Sequence, residues 1–133
     1  MAVHLEVDVI CPSRRVRKLE ARGVTIPGTL GYLTILPDHA ALVTEIDVGK
    51  LEIDAEGDQL EFFVSGGYAE IDENSLKILA DVIESKDDID KGRAESSKKR
   101  AIGRLDSKDS SVDIDRAQKS LIRAEARLAF TLS

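Results

Sequence analysis

The sequence has few of the residues that build metal sites, disulfides and membrane spans. Its 133 residues include one cysteine, two histidines, three prolines and no tryptophan, and only 4% are aromatic. The lone Cys11 excludes an internal disulfide and a cysteine-built metal site, and His4 and His39 lie too far apart in sequence for a zinc motif. No apolar run approaches the roughly 20 residues that a transmembrane helix needs. The sequence therefore predicts a soluble, cytoplasmic protein without a metal site.

Charge is distributed unevenly along the chain. Residues 1–84 contain 7 Lys and Arg against 16 Asp and Glu, whereas residues 85–133 contain 12 against 9. This contrast predicts two surfaces with different partners, although solvated helices that simply carry many lysines and arginines would produce it too. A net charge of −6 argues against nonspecific binding to nucleic acid or acidic lipid. We therefore expect no nucleic-acid partner and no direct membrane insertion.

Hydrophobic patterning predicts strands in the first part of the chain. Residues 3–9 alternate between apolar and polar side chains, which is typical of a half-buried strand. Turn signals such as Gly66-Gly67 separate seven further short segments: residues 23–26, 32–36, 41–46, 50–53, 60–64, 68–71 and 76–80. Many short strands at close spacing predict an antiparallel all-β sandwich or barrel over residues 1–85. The absence of βαβ alternation excludes a doubly wound nucleotide-binding fold for this part.

Residues 86–133 have the pattern of two helices. Asp87 or Asp88 can cap a first helix that runs to about Leu105, and residues 106–111 form a polar loop. Apolar residues at spacings of three and four from Ile114 to Leu128 predict a second helix. The short connection predicts an antiparallel helical hairpin.

Alanine dominates the apolar positions of this hairpin, and Gly92 lies inside the first helix. A glycine there costs roughly 1 kcal/mol relative to alanine, and burying alanine stabilises far less than burying leucine. We therefore expect a hairpin of low independent stability that can pack in more than one place. A hairpin permanently docked on the sandwich is the alternative.

The residue pattern favours binding over catalysis. His39 lies in a Pro37-Asp38-His39 turn with no recognisable nucleophile, so no catalytic residue is predicted. The helical part and its approach carry a spaced set of charged residues: Glu84, Asp90, Arg93, Arg100, Arg123 and Arg127. Guanidinium geometry suits phosphate, so antiparallel pairing of the helices would create an anion site. Exposed arginines in salt bridges with neighbouring carboxylates are the alternative.

The order and spacing of several segments resemble the epsilon subunit of the bacterial F-type ATP synthase over essentially the whole chain. The segments are residues 5–9, 35–42, 64–71 and 76–81, followed by a two-helix tail from Ile89-Asp90. The resemblance implies a flattened sandwich of about ten strands and a C-terminal helical hairpin. It also implies a noncatalytic central-stalk subunit that binds the gamma subunit and the c-subunit ring, at the cytoplasmic face of the bacterial plasma membrane.

The resemblance implies a division of labour between the two parts. The sandwich helps couple proton-driven rotation to ATP synthesis, and the mobile hairpin can extend to the alpha/beta catalytic head and inhibit ATP hydrolysis. No cofactor is required, and ATP is a regulatory ligand of the hairpin in some members. The alternative function is an ATP-sensing module in which nucleotide binding is the main role.

Site residues follow from the resemblance by position. The motif Ile or Leu, Asp, two variable residues, Arg and Ala matches residues 89–94, and the implied ATP-binding residues are Glu84, Ile89, Asp90, Arg93, Ala94, Arg100, Arg123 and Arg127. The arginines would hold the phosphates, and the Ile89-Asp90 region would face the adenine. A loop facing the c ring or gamma is implied at Gly31, Tyr32, Leu33 and His39, where Tyr32 replaces an acidic residue that many members have.

Overall fold

A computed structural model describes residues 3–107 and 109–133, so Lys108 of the predicted polar loop lies outside the described residues. The chain forms two compact units, one ending at Ser85 and the other beginning at Lys86. The first unit contains strands β1 (Leu5–Cys11), β2 (Arg14–Ala21), β3 (Gly23–Gly28), β4 (Gly31–Ile35), β5 (Leu42–Glu45), β6 (Gly49–Ala55), β7 (Asp58–Asp72) and β8 (Ser75–Glu84). The second contains helices α1 (Lys91–Asp106) and α2 (Ile114–Leu132). Neither helix has the combination of length and apolar character needed to span a membrane.

The strands form one hydrogen-bonded sheet in the order β2-β1-β8-β7-β6-β3-β4, and β5 pairs with β7. All strand pairs are antiparallel except β1 with β8, which is parallel. β2 contacts β6 although three strands separate them in this order, so the sheet folds over itself into a sandwich. The interior contains alternate residues of the strands, among them Leu5, Val7, Val9, Ile26, Leu51, Ile53, Val64, Leu76 and Ile78. The predicted sandwich and helical hairpin are confirmed.

The sequence predicted two strands where β7 is one continuous strand of 15 residues. β7 pairs with β8 along one edge, while its other edge pairs with β6 as far as Val64 and with β5 from Tyr68. Gly66 and Gly67 lie at this change of partner with φ of +76° and +103°. A Cβ on Gly67 would lie 1.9 Å from the carbonyl oxygen of Leu79. The glycine pair therefore permits close strand approach rather than a turn, and the described residues form eight strands instead of about ten.

Strand β2 was not predicted from the sequence. Opposite β1, Val9 pairs with Arg17 and Ile10 with Arg15, which leaves Val16 as an extra residue in a β-bulge. The bulge breaks the period of two, and most side chains of this strand are exposed. Val16 and Leu19 are only partly buried against the core and Ala21 is buried, at spacings of three and two, so the strand leaves no regular alternation in the sequence.

Helix α1 begins later than the sequence predicted. Lys86–Asp88 form a short 3-10 turn, and the N-cap is Asp90 rather than Asp87 or Asp88. Helices α1 and α2 pack together and are joined by a short connection, which gives an antiparallel hairpin. Near its open end, Lys86 Nζ donates to the carbonyl oxygen of Ser133 and lies 5.7 Å from the ring centroid of Phe130.

Candidate functional site

The motif at residues 89–94 forms the start of α1. The carboxylate of Asp90 accepts a hydrogen bond from the backbone N–H of Arg93 at 3.1 Å, as an N-cap does. Ile89 is half-buried directly before the cap, and Ala94 is buried one turn later. These positions are those of a hydrophobic staple around a helix cap. Three of the four fixed positions of the motif therefore have a role in folding, and Arg93 is the exception.

Helix α2 begins in the same way, 23 residues further along the chain. The carboxylate of Asp113 accepts from the backbone N–H of Arg116 at 3.0 Å, after half-buried Val112 and before buried Ala117. The likeness continues along both helices, since residues 90–105 and 113–128 are identical at 8 of 16 positions. The repeated residues are Asp, Arg, Ala, Ser, Arg, Ala, Arg and Leu. The hairpin is thus an internal repeat that the sequence analysis did not recognise.

The repeat places six arginines on one side of the hairpin. They occur at spacings of seven and four in each helix: Arg93, Arg100 and Arg104 in α1, and Arg116, Arg123 and Arg127 in α2. At about 100° per residue, those spacings keep each set of three within about 40° on its helix. Because the two helices are antiparallel and pack through equivalent faces, a twofold rotation about an axis perpendicular to the plane of the hairpin superimposes one helix on the other. This rotation keeps each side chain on the same side of that plane, so the arginines of both helices lie on one side of the hairpin. We call this surface the arginine face.

The distance of each arginine from the connection shows which arginines of the two helices lie side by side. Arg104 and Arg116 each lie two residues from the helix end nearest the connection, and Arg93 and Arg127 each lie thirteen residues from it. The structure therefore assembles the four predicted arginines on one face and adds Arg104 and Arg116, which the sequence analysis missed. The 23-residue repeat was the signal that would have identified them.

Few negative charges oppose the arginine face. Arg100 donates from its guanidinium to Ser97 Oγ at 3.1 Å instead of pairing with a carboxylate. Ion pairs within residues 3–107 and 109–133 include none of the following: Arg93, Arg100, Arg104, Arg116 and Arg123. Arg93 and Arg116 also stand in the first turn of a helix, where the macrodipole disfavours positive charge. This surface has the electrostatic character of an anion site.

The remaining predicted residues lie in the first unit. Glu84 is half-buried at the end of β8, and its role in binding ATP stays a prediction. Gly31, Tyr32 and Leu33 begin β4, whereas His39 follows the other end of that strand, so the four do not form one loop. Tyr32 is 61% exposed, and its hydroxyl oxygen accepts the backbone N–H of Lys50 at 3.1 Å.

The turn that contains His39 is held by two hydrogen bonds between Asp38 and Asn74. The backbone N–H of Asp38 donates to Asn74 Oδ1 at 2.6 Å, and Asn74 Nδ2 donates to Asp38 Oδ1 at 3.2 Å. His39 Nδ1 lies 2.7 Å from the carbonyl oxygen of Ala40, a contact that stabilises the turn itself. In the described residues, His, Cys, Asp and Glu side chains form no group of three or more that could hold a metal ion.

A groove of about 350 Å³ opens on the sandwich at the end of β1. Its lining includes Cys11, Gly67, Tyr68 and Leu79. A hydrogen bond with the hydroxyl of Ser13 lowers the pKa of the Cys11 thiol. The groove has one carboxylate, Asp81, and otherwise an apolar wall.

Comparison with known proteins finds the same two-part organisation. The family model described as ATP synthase, Delta/Epsilon chain, beta-sandwich domain matches residues 4–86, and its long alpha-helix domain matches residues 87–131. The ATP synthase epsilon chain of Desulforamulus reducens is 40% identical over 128 residues, which cover 96% of this chain and 97% of that one. The epsilon chain of Clostridium kluyveri is 42% identical over 129 residues, with coverage of 96% and 97%.

Two solved structures share the fold. A chain of the Euglena gracilis mitochondrial ATP synthase, from a structure of OSCP, F1 and the c-ring, has a TM-score of 0.88 and 19% identity, covering 100% of this chain and 84% of that one. A chain of the Tetrahymena thermophila mitochondrial ATP synthase, from its central stalk and c-ring, has a TM-score of 0.63 and 16% identity, with 96% of each chain covered. At such low identity the likeness concerns the fold alone.

Proposed function

The chain belongs to the delta/epsilon family of ATP synthase subunits, and we propose that it acts as a noncatalytic rotor subunit in the central stalk of a bacterial enzyme. The relatives named epsilon chain match almost the full length at 40% and 42% identity, which supports this role. In the proposal the sandwich joins the gamma subunit to the c-subunit ring at the cytoplasmic face of the membrane. It thereby helps couple proton-driven rotation to ATP synthesis.

The hairpin has the regulatory part of the proposed function. In an extended position it reaches the alpha/beta catalytic head and inhibits ATP hydrolysis, and ATP bound to the arginine face holds it in the compact, noninhibitory form. The observation that carries this proposal is the arginine face, on which the guanidinium groups of Arg93, Arg100 and Arg123 form no ion pair with a carboxylate of the described residues. Both helices contribute to it, so one triphosphate can join them.

Linkage gives the physical basis of this switch. A ligand that binds only the compact form stabilises it by RT ln(1 + [L]/Kd), which is about 2.7 kcal/mol when the ligand is at 100 times its Kd. Four of the five buried residues in the two helices are alanines, Ala94, Ala101, Ala117 and Ala124, and an alanine buries little surface. A weakly held hairpin is the kind of element that a ligand energy of this size can redistribute.

Calorimetric titration of the full chain with ATP tests the nucleotide site. We expect binding that weakens at least about tenfold in Arg100→Ala and in Arg123→Ala, because each removes a charge-assisted phosphate contact. Lys99→Ala is the matched control, since it removes one exposed positive charge from α1 away from the arginine face. Equal weakening in Lys99→Ala would show that binding depends only on the overall charge of the chain. An absence of binding heat would refute the nucleotide site.

Inhibition is tested separately with the catalytic head. ATPase activity is measured with the full chain and with a form ending at Ser85, which retains the whole sandwich core. We expect the full chain to inhibit and the shortened form to bind gamma without inhibiting. Equal activity with both forms would remove the inhibitory role. If ATP nevertheless binds the full chain, the alternative function of an ATP-sensing module is left.

A further inference from the structure

One edge of the sandwich holds most of the positive charge of an otherwise acidic unit. Five of the seven lysines and arginines in residues 1–84 fall between Arg14 and Arg22, where Glu20 is the single acidic residue. Four of the five belong to β2, which ends the sheet order and pairs with β1. Edge strands present backbone N–H and C=O groups that can pair with another chain. This edge therefore combines a strand without a second partner strand among the described residues with concentrated positive charge, except at its end, where the chain meets β6 and the backbone N–H of Arg22 donates to the carbonyl oxygen of Asp54.

Neighbouring carboxylates neutralise only part of this charge. Arg15 Nε lies 3.0 Å from Asp8 Oδ1, and a guanidinium nitrogen of Arg22 lies 3.5 Å from Asp54 Oδ1. The other three basic side chains are exposed and have no ion pair in the described part of the chain: Arg14, Arg17 and Lys18. We call these three residues the basic edge.

The pleat of β2 distinguishes between two kinds of partner. Arg17 lies opposite buried Val9 and Lys18 opposite Asp8, so the two basic side chains leave the edge on different sides. A flat bilayer would contact one of these sides, and the acidic remainder of the unit would repel an anionic surface. An extended polypeptide beside β2 alternates in the same way and meets both side chains. The geometry thus favours a strand over a membrane.

We propose that the basic edge binds an extended acidic segment of a partner protein, which adds to the sheet as a strand beside β2. Pairing would begin after the bulge, along Arg17–Glu20, where the ladder with β1 is regular and before the chain meets β6 at Arg22. Main-chain hydrogen bonds would supply affinity, and carboxylates facing Arg17 and Lys18 would supply selectivity. The same positive charges would repel β2 of a second copy of this chain, so the edge would bind an acidic strand and reject a basic one.

The test is an amide NMR titration of the isotope-labelled full chain at about 0.1 M salt. The probe is a seven-residue capped peptide of sequence Thr-Glu-Glu-Thr-Glu-Glu-Thr, and its glutamine analogue is the control peptide. We expect the acidic peptide to shift the amide resonances of Arg17–Glu20 and to slow hydrogen exchange in this segment. Replacing Arg17→Gln together with Lys18→Gln should weaken binding about tenfold, which corresponds to two cross-strand charge pairs. The matched pair Lys91→Gln and Lys99→Gln in α1 removes the same charge and should change binding less than about twofold.

Three results would overturn the proposal, which does not depend on the function proposed for the hairpin. Equal binding of the glutamine peptide, or equal weakening in both double variants, would show that no specific charge recognition occurs at β2. If no binding is detected at millimolar peptide, the positive charges serve only to keep other strands from pairing with this edge. Sedimentation with vesicles of equal parts phosphatidylglycerol and phosphatidylcholine, lost in the β2 variant, would assign the edge to lipid instead.

Discussion

Replacing Gly67 with alanine should destabilise the sandwich much more than the same change at Gly57. Both residues have positive φ, +103° and +80°, and an alanine there costs about 1–2 kcal/mol. A Cβ on Gly57 would meet no atom within 4 Å, whereas on Gly67 it would lie 1.9 Å from the Leu79 carbonyl oxygen. β7 and β8 would have to separate at this point, which adds about 1–3 kcal/mol. The expected losses are about 2–5 kcal/mol for Gly67→Ala and about 1–2 kcal/mol for Gly57→Ala.

Urea unfolding of the full chain, followed by circular dichroism in the β-sheet region, measures this difference at constant m-value. Small domains have a total stability of about 5–15 kcal/mol, so Gly67→Ala removes a large fraction of it. If that variant does not fold, Gly66→Ala is an informative substitute, because its Cβ would meet the side chain of Asp81 and not the backbone. Equal losses at Gly57 and Gly67 would refute the inference that β7 needs close backbone contact with β8.

Three further predictions concern single groups. Asp90→Ala and Asp113→Ala should each cost about 1 kcal/mol of unfolding free energy in urea titrations, because their capping hydrogen bonds are alike at 3.1 and 3.0 Å. Ser13→Ala should slow alkylation of Cys11 by iodoacetamide at pH 7.5, since loss of the hydroxyl contact raises the thiol pKa; an unchanged rate would contradict this cause. The backbone N–H of Ser111 lowers the pKa of Asp109, so its stabilising effect is present above about pH 4 and is lost as the pH falls through the lowered pKa. The advantage of wild type over Asp109→Asn in thermal unfolding should accordingly shrink below pH 4.

Most of the sandwich could be predicted because half-buried strands leave a period of two in the sequence. β8 is the clear case, with Leu76, Ile78 and Ala80 buried alternately. β2 could not be predicted, since its bulge interrupts the alternation and most of its side chains are exposed. The Gly66-Gly67 pair was ambiguous for another reason: glycines with positive φ occur both in turns and where backbones approach closely, and the distinction depends on residues far away in sequence.

The hairpin was predictable in kind but not in its boundaries. Asp87, Asp88 and Asp90 can all cap a helix, and sequence alone does not choose among them. The repeat aligns Asp90 with Asp113, so a first helix that is started at Asp87 or Asp88 does not reveal it, and Arg104 and Arg116 are missed with it. Gly31, Tyr32 and Leu33 lie in β4 and His39 follows that strand, so the predicted loop is divided between a strand and a turn, and its contact with the c ring or gamma stays a prediction.

The positions at which the repeat breaks indicate where on the arginine face a phosphate fits best. Asp115 in α2 stands where α1 has Gly92, and its carboxylate forms an ion pair with Lys119 at 3.2 Å. A carboxylate two residues after the cap stabilises a helix start but repels an anion, whereas Gly92 adds neither charge nor bulk at a cost of about 1 kcal/mol to α1. On the proposed function, the end with Arg93 and Arg127 is therefore more favourable for phosphate than the end near the connection. A helix weakened at that end also gains more from a ligand that joins it to its neighbour, so the glycine suits a switch better than a rigid hairpin.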